Sequence, residues 1–124
     1  MSSTKRQAAR QAAERRGQAA EAWALWWLRL KGYRLVAWRF RCPAGEIDLI
    51  VRRGGLLAFV EVKAREDETA AAEAIAPRQR QRILRAAEAF LQRRPELASL
   101  GQRFDAVLVA PGRRPRHRPD AWRA

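Results

Sequence analysis

Apolar positions along the chain fall into short, phased runs. Ala19, Ala20, Trp23, Trp26, Trp27 and Leu30 recur at the i, i+3, i+4, i+7 spacing of a helix with one buried face. This spacing favours core packing of the tryptophans over base stacking. Gly32, just past Lys31, predicts the helix stop. Residues 33–41 (YRLVAWRFR) read as a strand, and 42–45, containing Pro43, as a turn. Two more strands, 46–53 and 56–65, are joined by Gly54-Gly55. That pair suits a type I′ hairpin turn, whose two central residues both need positive φ. A polar, alanine-rich connection over 66–74 follows. Pro77 then opens a second helix at a position where its missing N–H costs nothing. Ile83, Leu84, Ala87, Phe90 and Leu91 form its stripe, Arg78, Arg80, Arg82, Arg85 and Arg93 lie off it, and Pro95 ends it. A last strand spans 103–110. The order helix, three strands, helix, strand predicts an α/β fold with a mixed central sheet flanked by helices. Residues 1–16 read as a basic extension, 17–110 as the domain, and the Pro/Arg-rich 111–124 as a disordered tail.

Composition narrows the classes. A chain of 124 residues fits one domain, and 48% apolar content is enough for a core. One cysteine (Cys42) and one histidine (His117) exclude an intrachain disulfide and any Cys/His zinc site. Cys42 has no neighbouring base for thiol catalysis, and no Gly-rich phosphate loop is present. The net charge is +13; only Lys5, Lys31 and Lys63 are lysines, and the other 23 of the 26 cations are arginines, whose planar fork suits phosphate oxygens. GC-rich coding would account for the Arg:Lys ratio, but less well for the net charge. Nucleic acid is the expected partner. No signal peptide and no apolar run of membrane-spanning length is visible, so the expectation is a cytoplasmic protein with no membrane contact.

The candidate chemistry sits on the hairpin. A two-residue turn pairs residues whose numbers sum to 109, which puts Asp48 opposite Glu61 and Glu46 opposite Lys63. All four then share one face, while Ile47, Leu49, Val51, Val60 and Val62 share the other. Directly opposed carboxylates repel. A divalent cation would offset that repulsion, because carboxylate oxygens are preferred ligands of Mg²⁺. A metal between two carboxylates beside an ammonium group suits phosphodiester hydrolysis. The plainer alternative is a solvated face with a Glu46–Lys63 ion pair.

The runs GEIDLI (45–50) and FVEVKAR (59–65), preceded by Gly17-x₃-Glu21 and followed by RFDAV, resemble the YraN family of uncharacterised bacterial proteins. That family is regarded as restriction-endonuclease-like, similar to archaeal Holliday-junction resolvases and other PD-(D/E)xK nucleases. The likeness runs from about Gly17 to Val109. It implies that Asp48 and Glu61 bind metal, with the Val62 carbonyl as a usual third ligand, that Lys63 is the catalytic lysine, and that Glu21 completes the acidic cluster. It also implies phosphate contact by Arg65 and a polar or basic role for Gln79. Three departures stand out. Arg39 lies where the family tends to carry Asn, Gln79 where it tends to carry Lys, and Thr69-Ala70 where a Gly is expected. Asp105 reads as a strand-end residue paired with Arg103 rather than as part of the site.

The expected protein is thus a Mg²⁺- or Mn²⁺-dependent endonuclease acting on DNA, with branched DNA a candidate substrate. Catalysis is assigned to Asp48, Glu61 and Lys63, metal binding to Asp48, Glu61 and Glu21, and nucleic-acid contact to Arg65, Arg78, Gln79 and Arg82. Paired cuts on a symmetric junction would call for a homodimer. The alternatives are a non-cleaving nucleic-acid-binding module of the same fold and a basic interaction protein.

Overall fold

The computed structural model describes residues 2–64 and 76–123, with the side chains of residues 2, 3 and 12–16 outside the description. Helix α1 (Ser2–Leu30) leads into strands β1 (Arg34–Cys42), β2 (Gly45–Arg53) and β3 (Leu56–Ala64). Helix α2 (Pro77–Arg93), a 3₁₀ turn (Pro95–Leu97), β4 (Gly101–Val109) and β5 (Arg116–Trp122) follow. The strands lie in chain order in one sheet. Neighbours are antiparallel except β3 and β4, which run parallel and are joined through α2. Parallel neighbours need such a crossover, whereas β1 to β3 are linked by tight turns.

Each face of the sheet carries a helix. Ala24, Leu25 and Leu28 of α1 pack with Leu49, Val51, Ala58, Val60 and Val107. Ile83, Ala86, Ala87 and Phe90 of α2 pack with Ile47, Ile50, Leu57 and Phe59. A sheet covered on both faces explains the nearly unbroken apolar runs of β2 and β3. It also corrects one expectation. Ile47 does not group with Leu49 and Val51 but joins the α2-side core, so it departs from the alternation that Glu46, Asp48 and Ile50 keep. Opposite Asp48 stands Arg39, whose φ of 55° lies in the left-handed region. That conformation departs from extended backbone at a single residue, and the pairing of β1 with β2 keeps its register on either side.

The turns follow the sequence with one change. At the end of α1, the Tyr33 N–H donates to the Leu28 carbonyl and the Gly32 N–H to that of Arg29, with Gly32 at φ 94°. This is a Schellman stop, where glycine avoids the Cβ penalty. In the β2–β3 hairpin only Gly54 takes positive φ (59°), the requirement of a type II′ rather than a type I′ turn. The expected register holds from Arg53↔Leu56 to Leu49↔Val60.

Two expectations fail outright. The tryptophan row is not the buried face of α1: Trp23 and Trp26 are each 49% exposed and Leu30 is 64% exposed, while Ala20, Glu21, Ala24, Leu25 and Leu28 are buried. Both rows have helical periodicity. The small residues Ala20 and Ala24 let the helix approach the sheet closely, which a row of indoles would prevent. Nor is the whole tail disordered, since 116–122 forms edge strand β5 on β4. Trp122 stacks on Phe104 at 4.2 Å between ring centroids, and Phe104 stacks on Phe59 at 5.5 Å. Pro119 is tolerated because an edge strand leaves one row of N–H groups unpaired. Among the described residues, no helix is long and apolar enough to cross a membrane.

Candidate functional site

Close approach of α2 to the hairpin creates the site. A Cβ on Gly45 would lie 2.7 Å from the Arg82 carbonyl oxygen, so only glycine lets α2 settle against the start of β2. Above that contact opens a cleft of about 470 Å³, lined on the sheet side by Glu46, Asp48 and Glu61 and on the helix side by Arg78, Gln79, Arg82 and Ile83. Glu61 is 9% exposed. The Asp48 and Glu61 carboxyls stand close enough to act on each other. Burial raises both carboxyls above their usual range; for Glu61, burial and then the neighbouring Asp48 charge push it up to about 9. The Val62 N–H donates to Asp48 Oδ2 at 2.8 Å. In an extended strand a residue's N–H and C=O face the same neighbour, so the Val62 carbonyl also points to the Asp48 side.

Lys63 stands beside this wall without lining the cleft. Its Nζ lies 3.8 Å from Glu61 Oε1 and donates to Gln79 Oε1 at 3.1 Å. Gln79 is therefore the helix partner that aims the ammonium group into the site, and a lysine there would repel it. Glu46 stands at the exposed rim and pairs with Arg41 at 3.0 Å rather than with Lys63. The plain surface ion pair is thus absent, and the four hairpin residues do share the α2 side.

Glu21 is placed differently from the other acids. It is buried, but it accepts from Trp38 Nε1 at 2.6 Å and from Arg39 Nε at 2.8 Å and Nη2 at 3.2 Å. Its charge acts on Asp48, though it does not line the cleft. The hydrogen bond to Glu21 also raises the Arg39 guanidinium, and helps hold Arg39 in a left-handed conformation that asparagine adopts more readily. The role of Arg39 escapes a sequence reading because it depends on a left-handed backbone and on where α1 places Glu21. Arg78 and Arg82 face the cleft, whereas Arg65 lies outside the described residues, as does the 69–70 departure.

Among the described residues, no three His, Cys, Asp or Glu side chains stand together as a ready metal-ligand set. The donor chemistry still fits a hard divalent cation. Two adjacent carboxyls whose hold on a proton is raised are a place where a cation can take a proton's place, and Mg²⁺ commonly rests on one or two carboxylates with water filling its remaining positions.

Asp105 lies away from this cleft, fully buried in mid-β4 rather than at a strand end. It accepts from Arg103 Nε at 2.7 Å and Nη2 at 2.8 Å, from His117 Nε2 at 2.7 Å and from the Asp120 N–H at 3.0 Å. Burial alone would raise its carboxyl, but the bonds from Arg103, His117 and Asp120 outweigh that and hold it at about 2. This network ties β5 to β4 and bears out the pairing with Arg103.

A five-stranded mixed sheet between two helices, with an acidic pair and a lysine on its central hairpin, defines an α/β protein consistent with the restriction-endonuclease-like class. The chain belongs to the uncharacterised protein family UPF0102, the YraN family, whose model matches residues 20–109. It is 61% identical over 119 residues to a UPF0102 protein of Paramagnetospirillum magneticum, covering 93% of this chain and 92% of that one. It is 60% identical over 112 residues to one of Parvibaculum lavamentivorans, covering 90% and 84% respectively. A third relative, from Maricaulis maris, is 54% identical over 114 residues, covering 92% and 90%.

Proposed function

We propose that this protein is a divalent-metal-dependent endonuclease domain that acts on DNA in the cytoplasm, with branched DNA a candidate substrate. The observation that carries the reading is the adjacent pair Asp48 and Glu61, with Lys63 beside Glu61 and Arg78 and Arg82 across one cleft. Asp48 and Glu61, with the Val62 carbonyl, would hold Mg²⁺ or Mn²⁺. When bound, the cation would lower the pKa of a coordinated water and offset charge building on the phosphate. Lys63, steadied by Gln79 and 3.8 Å from Glu61, would orient the attacking water or donate to a phosphate oxygen. Arg78 and Arg82 would neutralise flanking phosphates from the helix wall.

One observation favours a second reading. Glu21 is engaged by Arg39 and Trp38, which leaves a two-carboxylate cluster. A non-cleaving nucleic-acid-binding module of the same fold would need no more than that.

Incubation of linear and four-way DNA with the purified chain across a titration of Mg²⁺ and Mn²⁺ separates the readings. The nuclease reading expects metal-dependent nicks, lost by about 100-fold or more in Lys63→Ala and Asp48→Ala. Retained DNA binding with no cut on any DNA shape, in either metal, would establish the binding module instead.

A further inference from the structure

The outward row of α1 is a second apolar face that the site does not use. Ala19, Trp23, Trp26 and Leu30 are all exposed and follow one another at i, i+4, i+7, i+11. A buried aromatic side chain covers roughly 150–250 Å², so two half-exposed tryptophans with Leu30 leave about 300–400 Å² of contiguous apolar surface. Monomers rarely carry more than a few hundred Å² in one patch without using it. The row is also free of charge in a chain of +13. From Gly17 to Leu30 the charged residues are Glu21, buried against Arg39, and Arg29, which flanks the row about 60° round the helix from Trp26.

We propose that this row is a homodimer interface, formed by antiparallel packing of α1 against α1 of a second copy about a two-fold axis. Reversal of the row on itself pairs residues whose numbers sum to 49, so Leu30 meets the small Ala19 and Trp23 meets Trp26. Large thus faces small at both ends with aromatic pairs at the centre, the self-complementarity an isologous contact requires. A standard interface covers about 800 Å² on each partner. The row supplies close to half of that as an apolar centre, with exposed Gln18, Ala22 and Arg29 available as a rim.

A second copy fits better than nucleic acid. Single strands are held by bases stacked on aromatics together with cations that track the backbone. The row itself carries no cation, with Arg29 at its rim, and the Trp23 and Trp26 rings pack on each other at 5.1 Å and 55°, so they do not form a parallel platform. Two +13 chains approach most easily where neither presents charge, because charges beyond about 8 Å are screened at physiological salt.

Light scattering coupled to size exclusion, run on the full chain from about 1 to about 200 µM, tests the proposal. The mass should rise with concentration from 14.2 kDa toward twice that value. Trp23→Ser/Trp26→Ser should weaken association by about thirty-fold or more, as for central interface tryptophans, with the far-UV spectrum unchanged. Leu30→Arg, at an exposed position, should do the same should the double variant fold poorly. A wild-type chain that stays at 14.2 kDa throughout, or variants that dimerise as the wild type does, would overturn the proposal. So would a monomer whose tryptophan emission is quenched by oligothymidine through Trp23 and Trp26. None of these results bears on the cleft of α2, so this inference and the nuclease reading fail separately.

Discussion

At the residue scale, Asp48 and Glu61 behave as a pair rather than as two acids. Glu61 is buried, Asp48 stands half-buried beside it, and Glu61 is raised from 4.5 to about 9. The native state therefore keeps a proton that the unfolded chain loses above its ordinary carboxylate pKa. Stability from this pair is full below 4.5 and is lost as pH rises toward 9. Thermal melts in a chelator should accordingly fall between pH 5 and 9, and Mg²⁺ should flatten the fall by taking the proton's place. Asp48→Asn should remove most of the pH dependence and all of the Mg²⁺ effect; melts of Asp48→Asn that match the wild type with and without Mg²⁺ would disprove the coupling. Asp48, Glu61 and Lys63 were legible in the sequence because strand alternation and hairpin register are local rules. The diversion of Glu21 was not, because it depends on Arg39 adopting φ 55° in a strand the helix packs against only after folding.

Elements that looked alike in the sequence separate by what surrounds them. β2, β3 and α2 carry apolar patterns strong enough to read directly. β5 carries none: RHRPDAW has no alternation, and a proline interrupts it. Its place comes from polar bonds to a buried acid and from one aromatic stack, both contacts across the fold. Asp105→Ala should therefore cost about 3 kcal/mol in urea unfolding, mainly because Arg103 and His117 lose a buried partner. Asp105 is held at about 2, so its contribution is present above 3.8 and disappears as pH falls from 3.8 to about 2. An Asp105→Ala chain as stable as the wild type at neutral pH would show that the stack alone holds β5. In α1, two rows share one periodicity, and only the demand for small residues against the sheet selects Ala20, Ala24 and Leu28 over the tryptophans.

The molecule combines a strongly basic composition with an acidic pair in the cleft against α2. A polyanion drawn by +13 would meet Arg78 and Arg82 beside Asp48 and Glu61, which suits a phosphate chain delivered to an acidic pair once a cation shields it. DNA affinity should fall steeply and linearly on a log–log plot against salt, and Arg78→Ala or Arg82→Ala should each lower that slope by about one counterion. Fluorescence anisotropy at several salt concentrations measures this; an unchanged slope in both variants would remove α2 from the interface. The sequence by itself determined the α/β class, the hairpin register and the side-by-side placement of two carboxylates and a lysine, because periodicity and turn chemistry act over a few residues. Only the tertiary structure decided which row of α1 is buried, where Glu21 points and whether the tail joins the sheet. Each of these depends on contacts between segments far apart in the chain, where close packing and buried hydrogen bonds outweigh local pattern.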